Sequence, residues 1–177
     1  MIKFFAKNLS IISFLLIPIL NYFAPNWLIF LGSNPYWPLF WLLPWSMMHG
    51  SLHGLIVGFS LGITLDAIGP DISYTQIPGL ALCGLWFGRF NASRNFFVGH
   101  FRYGLICSIG TLFCGLIYFL QIMIKNLPEN NFFFFQANIK NILTQVFLTG
   151  LFAPLICSQL FRIFKSTKEK STNKFEN

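Results

Sequence analysis

Gly50-Ser-Leu-His-Gly54-Leu-Ile-Val-Gly58-Phe-Ser-Leu-Gly62-Ile-Thr-Leu-Asp66 is the stretch of this chain with the most regular spacing. Glycine recurs at every fourth position, and an aspartate holds the next position in the series. Residues four apart lie on one slanting stripe of an α-helix, so all five share a face. Glycine on such a face lets a second backbone approach closely, which is how helices associate in lipid. The stretch therefore predicts a membrane helix with a close-packing face.

The composition of the whole chain agrees with a membrane environment. Of its 177 residues, 55% are hydrophobic and 10% are charged, and 23 are phenylalanine. Soluble domains carry about 25% charged residues, so this chain has too few charges to cover a water-facing surface. A soluble fold exposing so much phenylalanine would aggregate, whereas lipid accepts it. We expect an integral membrane protein without a separate soluble module.

The apolar residues fall into six stretches separated by polar, proline or glycine residues. A helix needs about 20 apolar residues to cross a hydrocarbon core of about 30 Å. We expect an all-α integral membrane protein, a bundle of about six transmembrane helices, over residues 9–23, 27–48, 50–68, 77–90, 101–124 and 139–164. The second and fourth spans have the weakest patterns, because prolines kink or shorten the second and the fourth is short. We expect residues 1–165 to form one polytopic domain and 166–177 to be a disordered, basic, cytoplasmic tail.

The basic residues predict the orientation of the bundle. With a cytoplasmic N-terminus and six crossings, ten of the twelve lysines and arginines face the cytoplasm, as the positive-inside rule requires. Lys125 and Lys140 fall on the other side. The formal net charge of +7 is then best explained by attraction to anionic lipid headgroups, and nucleic-acid binding is not expected. The ten inward-facing residues are Lys3, Lys7, Arg89, Arg94, Arg102, Arg162, Lys165, Lys168, Lys170 and Lys174.

The sequence offers few residues for catalysis or metal binding. His49 and His53 are four apart and could share a helix face, but no carboxylate or thiol lies near them in sequence, so we favour interfacial polar residues over metal ligands. The four cysteines lie within apolar spans at spacings typical of neither a disulfide framework nor a redox motif, and small packing residues are the simplest interpretation. Recognisable catalytic and phosphate-binding motifs are absent. We therefore expect no enzyme, no metal and no cofactor.

The glycine stripe of the third span has a counterpart in the fourth. Gly84 and Gly88 repeat the four-residue spacing, so spans three and four are plausible packing partners. We favour a tight crossing within the chain over a dimer face between two copies. Asp66 is the acidic residue placed within an apolar span, where a carboxylate is costly. Two interpretations stay open for it: a polar anchor for the following loop or a partner contact, and an interfacial helix-end residue reached by water.

These residues carry a resemblance to a known family. The series Gly54-x3-Gly58-x3-Gly62-x3-Asp66, a short turn, Pro78-Gly79-Leu-Ala-Leu and a span ending in Gly88-Arg89 resemble the rod shape-determining protein MreD family. The resemblance is most specific over residues 50–89 and covers the other spans in order. Members of that family have a glycine-rich third span ending in aspartate, followed by a short loop and a glycine that opens the next span.

The resemblance implies a non-enzymatic scaffold in the bacterial inner membrane, with both termini cytoplasmic. Such a protein organises lateral peptidoglycan synthesis by binding MreC, a bitopic partner, within the complex that contains the MreB cytoskeleton, RodA and a penicillin-binding protein. It also implies a fold similar to the substrate-binding S-components of energy-coupling-factor transporters. The implied helix-packing or partner-binding residues are Gly50, Gly54, Gly58, Gly62, Asp66, Gly79, Gly84 and Gly88.

A vitamin-binding transporter subunit of the S-component type is the alternative function. Six helices of this total length could enclose a pocket, and five tryptophans are available to line it. We favour an interfacial aromatic belt as the role of these residues. The five are Trp27, Trp37, Trp41, Trp45 and Trp86.

Overall fold

The computed structural model describes residues 14, 16–21, 32–69, 74–90, 100–125 and 132–172, and these residues form helices joined by short connections, with no β-strand among them. The expectation of an all-α fold is confirmed for this part of the chain. The helices are α1 over residues 14 and 16–21, α2 over Trp37–His49, α3 over Ser51–Ile68, α4 over Ile77–Phe87, α5 over His100–Lys125 and α6 over Phe132–Thr172.

Three of these helices are long and apolar enough to cross a membrane. They are α3, the Phe101–Lys125 part of α5 and the Gln136–Arg162 part of α6. The 13 residues of α2 and the 11 residues of α4 fall short of the roughly 20 residues that a straight crossing needs. By length and composition, three helices in the described part of the chain could span a membrane, where the sequence led us to expect about six.

Helix α2 lies at the centre of the bundle. Nine of its 13 residues are buried, including Leu39, Trp41 and Leu43, and it packs against α3, α4, α5 and α6. A helix that is apolar on every side is stable when it is covered on every side. Pro38 stands in its first turn, where the backbone N–H would lack an intrahelical partner anyway, and Pro44 lies inside the helix. The helix begins at Trp37, so residues 32–36 of the expected second span are not helical.

Helices α3 to α6 pack as two pairs around α2. Helix α3 pairs with α4, and α5 pairs with α6. Helices α3 and α4 run in opposite directions, since Gly88 at the end of α4 lies against Ser51 at the start of α3. Helices α5 and α6 do so as well, since Gly104 lies against Gly150 and Gly115 against Ile142. We call the end of the bundle where α3 finishes and α4 begins the Asp66 end. We call the other, which holds Arg89, Arg102 and Arg162, the arginine end.

The two ends differ in their basic residues. Tyr103 beside Arg102 contacts Phe161 beside Arg162, with ring centroids 6.2 Å apart, which places both arginines at the same end. Lys125 lies at the opposite end, where its Nζ is 5.4 Å from the centroid of the Tyr74 ring. The fold therefore places Lys125 and these two arginines at opposite ends of the bundle, as predicted.

Helix α6 extends farther than we expected. We predicted a membrane span over 139–164 and a disordered tail over 166–177, whereas the helix runs for 41 residues and ends at Thr172. Once a helix is nucleated, each added residue gains a backbone hydrogen bond, and the Lys and Glu residues of 165–170 are good helix formers. The part of the predicted tail up to Thr172 is therefore helical, and 173–177 lie outside the described residues.

Candidate functional site

The glycines of α3 lie directly against the backbone of α4. A β-carbon added to Gly54 would overlap the carbonyl group of Gly84, whose carbon would be 2.9 Å away. At Gly58 it would overlap the carbonyl group of Leu80, again with the carbon at 2.9 Å, and at Gly62 it would lie 2.6 Å from the Cα of Ile77. Carbon atoms in van der Waals contact are about 3.5–4.0 Å apart, so these three positions have room for glycine alone.

The contact is reciprocal along α4. A β-carbon on Gly84 would lie 2.7 Å from the carbonyl carbon of Gly54, and one on Gly88 would lie 2.6 Å from the carbonyl carbon of Gly50. The Ser51 hydroxyl also donates a hydrogen bond of 2.8 Å to the carbonyl of Leu85, which joins the two helices at the arginine end. We call this α3–α4 contact the glycine seam. It lies within one chain, and α4 covers the stripe that a second copy would need as a dimer face.

The missing side chains of Gly50 and Gly79, two residues predicted to serve in helix packing or partner binding, lie outside the glycine seam. Gly50 lies between α2 and α3 with φ of +93°, and a β-carbon there would meet nothing within 4 Å. It is required by its left-handed backbone, which lets α3 turn away from α2, and it does not belong to the packing stripe. Gly79 faces α5, where a β-carbon would lie 3.2 Å from the Sγ of Cys114. It therefore packs α4 against α5 instead of α3.

Asp66 joins the end of α3 to the start of α4. Its carboxylate accepts a hydrogen bond of 2.5 Å from the Thr75 hydroxyl and one of 2.9 Å from the backbone N–H of Gln76. The Gln121 side chain on α5 bonds both the N–H and the carbonyl of Thr75, each at 2.9 Å. The Tyr36 hydroxyl donates to Oε1 of Gln76 at 2.8 Å. We call these five residues the polar cluster.

The polar cluster stabilises the N-terminus of α4 for two reasons. The first backbone N–H groups of a helix have no intrahelical acceptor, and here Asp66 and Thr75 supply acceptors to Gln76 and Ile77. The N-terminus also carries a partial positive charge, which a carboxylate offsets. Of the two interpretations open from the sequence, this geometry favours the anchor of the following loop, because both oxygens of Asp66 are bonded within the chain.

A cavity of about 280 Å³ lies beside the polar cluster at the Asp66 end. It is partly open, and it is bordered by the end of α1, residues 32–36, the start of α4, and facing parts of α5 and α6. Six amide side chains line it: Asn21, Asn34, Gln76, Asn138, Asn141 and Gln145. Five hydroxyl side chains also line it: Ser33, Tyr36, Thr75, Thr111 and Tyr118. None of the described residues that line the cavity is charged.

The tryptophans do not line this cavity, contrary to the role that the transporter alternative gave them. Trp41 and Trp45 on α2 stack with ring centroids 5.0 Å apart in the interior, and Trp86 packs on Phe87 and Phe90. Trp37 packs edge-on against Phe40 of its own helix. Trp27 lies outside the described residues.

A second close helix contact was not predicted from the sequence. A β-carbon on Gly104 of α5 would lie 2.7 Å from the carbonyl oxygen of Gly150 in α6 and 3.1 Å from Cγ of Pro154. One on Gly115 would lie 2.9 Å from Cγ2 of Ile142. These two α5 glycines are 11 residues apart and do not form a run at four-residue spacing, and α6 contains one glycine. The sequence therefore carried no repeated pattern that would have predicted this contact.

The cysteines lie in packing positions, and the exposed His49 contacts a tryptophan ring. Cys83 and Cys114 have sulfurs 3.5 Å apart, Cys107 and Cys157 have sulfurs 3.8 Å apart, and all four are buried. His49 stacks on Trp45 with ring centroids 4.0 Å apart. Within the described residues no group of three or more metal-ligating side chains comes together.

When the chain is compared with family models, curated proteins and solved structures, nothing matches it.

Proposed function

We propose that this protein is a non-enzymatic scaffold of the bacterial cell-elongation machinery. It lies in the inner membrane with about six crossings and both termini in the cytoplasm. It binds an MreC-like bitopic partner through helix contacts and its outer loops, and so organises peptidoglycan synthesis along the cell cylinder. The MreB cytoskeleton, RodA and a penicillin-binding protein belong to the same complex. Its fold is similar to that of transporter S-components.

The outward surface of the bundle supports a membrane location. Leu52, Ile56 and Phe59 are 74%, 60% and 47% exposed on one face of α3, and α5 and α6 expose similar apolar rows. A contiguous apolar surface of this extent is stable in lipid or against a partner, and it aggregates in water. The arginine end then faces the cytoplasm, as the positive-inside rule favours.

The glycine seam is the observation on which the scaffold proposal depends. It brings two helices into backbone contact, and the polar cluster fixes them at the Asp66 end. Side-chain repacking cannot loosen such a contact without separating the helices. The outer face of α3, including Ile56 and Phe59, is therefore presented in one geometry, which lowers the cost of ordering a surface when a partner helix docks.

Co-purification tests this proposal. The protein is expected to bring MreC with it in mild detergent, and depletion of the protein is expected to turn rods into spheres. Ile56→Arg on the exposed face of α3 should weaken recovery of MreC, while the equally exposed Leu155→Arg on α6 serves as the matched control. Recovery of the protein without MreC, or normal rod shape after depletion, contradicts the proposal.

A second candidate is a small-molecule-binding transporter subunit, and the polar cavity is the observation that favours it. Such a subunit is expected to gain thermal stability with one member of a vitamin panel and to co-purify with a pair of ATPases. Gene order separates the candidates as well, because a neighbouring gene for an actin-like protein favours the scaffold and paired ATPase genes favour the transporter.

A further inference from the structure

The four cysteines form two pairs that differ in how they can be reached. The sulfurs of Cys83 and Cys114 are 3.5 Å apart, and the sulfurs of the other pair, Cys107 and Cys157, are 3.8 Å apart. Cys114 lines the cavity at the Asp66 end and is 9% exposed. Cys107 and Cys157 lie outside that lining and are 0% exposed. Because the cavity is partly open, a small molecule can reach one sulfur of the first pair.

We propose that Cys83 and Cys114 are a redox-active pair, which a small peroxide converts into a disulfide between α4 and α5. The Cys107–Cys157 pair stays reduced under the same conditions, because no opening leads to it from the cavity. A peroxide suits the site because hydrogen peroxide is uncharged and little larger than water. The burial that admits it slowly at Cys114 holds off a bulkier thiol reagent.

The reaction has two steps, and Cys114 takes the first. Its sulfur forms a bond to one peroxide oxygen as the O–O bond breaks, which gives a sulfenic acid and one water. The sulfur is oxidised by two electrons and the peroxide is reduced. The Cys83 thiol then attacks the Cys114 sulfur, and its proton leaves with the hydroxyl group as a second water. The sulfurs are already 3.5 Å apart, a separation typical of reacting atoms held in place.

The packing around the pair leaves room for the new bond. Gly79 lies one turn before Cys83 on α4, and its missing side chain faces Cys114, whose Sγ would be 3.2 Å from a β-carbon there. A disulfide bond is about 2.05 Å long, so the two sulfurs must close a gap of about 1.5 Å. Two side chains share that movement, and Gly79 places no side chain beside the Cys114 sulfur.

The position of the bond gives it a structural effect. Cys83 belongs to the α3–α4 pair and Cys114 to the α5–α6 pair, so their disulfide joins the two helix pairs covalently. The Cys107–Cys157 contact, by contrast, lies within the α5–α6 pair. Oxidation at the first site would fix the outer face of α3 relative to α5 and α6, and a cross-link of this kind stabilises the folded chain.

The chemistry of the pair is independent of the scaffold proposal, since it is measured on the purified chain. In the proposed orientation the Asp66 end lies outside the cytoplasm, where disulfides persist. Failure to recover MreC would leave the oxidation of the pair untouched. Failure of the pair to oxidise would leave the scaffold proposal untouched.

The experiment counts free thiols in the full-length protein in mild detergent. The reduced protein is exposed to millimolar hydrogen peroxide, and samples are quenched with catalase, unfolded in sodium dodecyl sulfate and labelled with N-ethylmaleimide. The label count is expected to fall from four to two, and peptide mapping should link Cys83 to Cys114. A reductant should restore all four labels. Cys107 and Cys157 should lose their labels at least about tenfold more slowly.

Two variants separate the two pairs. The double variant Cys107→Ala, Cys157→Ala keeps the proposed pair and should lose its two labels as fast as the unchanged chain does at Cys83 and Cys114. Cys83→Ser keeps the size of the side chain but removes the attacking thiol, so Cys114 should stop at the sulfenic acid, which dimedone traps. Melting curves show whether each bundle is intact. Peroxide should raise the melting temperature of the unchanged chain and leave that of Cys83→Ser where it was.

Three results would overturn the proposal. The first is a folded protein that keeps all four labels after prolonged exposure to peroxide. The second is loss of labels from both pairs at the same rate. The third is a folded Cys83→Ser protein in which dimedone does not react at Cys114.

Discussion

Glycine has two separate uses in this protein, and they predict different effects of substitution. Gly58 has ordinary helical backbone, and the constraint there is the neighbouring carbonyl group of Leu80. Gly50 has open space around its missing side chain, and the constraint is its φ of +93°. Adding bulk at Gly58 moves a whole helix, whereas adding it at Gly50 strains one residue.

Gly58→Leu is expected to disrupt the bundle, because the backbone of α4 must move to admit the side chain. Overpacking of ordinary cores costs about 1–3 kcal/mol, and a contact with backbone leaves less room to relax, so the loss of stability should reach at least that range. The melting temperature in detergent and complementation of a depletion strain measure the effect. Ala67→Leu places the same side chain at an exposed position of α3 and should be tolerated. Normal assembly of Gly58→Leu would mean that the stripe faces lipid.

Asp66→Asn is expected to be milder than Asp66→Ala. The asparagine keeps one oxygen for the backbone N–H of Gln76 and loses the negative charge near the N-terminus of α4, a change of about 1 kcal/mol. The alanine removes the acceptors of both hydrogen bonds and should cost about 2–3 kcal/mol. Hydrogen exchange at Gln76 and Ile77 reports the loss locally. Protection in both variants equal to that of the unchanged chain would show that the carboxylate does not anchor the loop.

The residues of the glycine seam could be predicted because they follow one local period. Gly54, Gly58 and Gly62 lie on one stripe of one helix, so their spacing alone places them together. Gly50 has the same spacing, but its positive φ depends on how α2 meets α3, and spacing carries no information about that junction. Gly79 was predicted as a helix-packing or partner-binding residue, and it lies one position before Leu80 on the stripe of α4 that contacts α3, so its missing side chain faces Cys114 on α5.

At the level of elements, the four thiols mark the internal surfaces of α4, α5 and α6. Cys83 faces Cys114 and Cys107 faces Cys157, and none is more than 9% exposed. A thiol held between helices is shielded from water and is a poor nucleophile in that setting.

The native cysteines are therefore expected to resist a water-soluble maleimide until the protein is unfolded in sodium dodecyl sulfate. Mass spectrometry counts the labels before and after unfolding. Asn141→Cys provides the positive control, since Asn141 is exposed near the Asp66 end and should be labelled in the folded protein. Rapid labelling of Cys107 or Cys157 in the folded protein would contradict the packing of α5 on α6.

The elements differ in how well their sequences predicted them. Helix α3 covers 51–68, one residue fewer than the expected 50–68. Gly50, whose φ is positive, precedes it, and Gly69 follows it. Helix α2 is harder, because its burial depends on helices that come later in the chain, and its sequence is apolar on all sides whether it faces protein or lipid. The contact of Gly104 with Gly150 joins two helices through single residues, and no period reveals it.

For the molecule as a whole, the two ends of the bundle predict its orientation. Arg89, Arg102 and Arg162 lie at one end, and Lys125 lies at the other. We expect alkaline phosphatase inserted between α5 and α6, at residues 126–131, to be active, because that enzyme folds outside the cytoplasm. A fluorescent protein fused to the C-terminus is expected to fluoresce inside the cell. The reverse pattern would mean that the bundle has the opposite orientation in the membrane. The loops proposed to bind the partner outside the cytoplasm would then lie inside it.

The cavity could not be predicted from the sequence. Its amides and hydroxyls come from α1, the segment before α2, the segment before α4, and both α5 and α6. Each is an unremarkable polar residue in its own segment, and their meeting depends on how all the helices pack. The tryptophans attracted attention because of their size, but three of them belong to α2, whose central position gives them other neighbours.

The shortness of α4 has a consequence for the lipid around the protein. At 11 residues and 1.5 Å per residue, α4 is about 16 Å long, roughly half the hydrocarbon thickness of a bilayer. Helix α5, with 26 residues, is much longer, so the height of the apolar surface changes abruptly between α4 and α5. Acyl chains next to α4 must shorten or tilt to meet that change in height, at a cost that grows with each ångström of mismatch. In its proposed setting the protein would locally thin the bilayer on one flank, and membranes of short-chain lipids would accommodate it best.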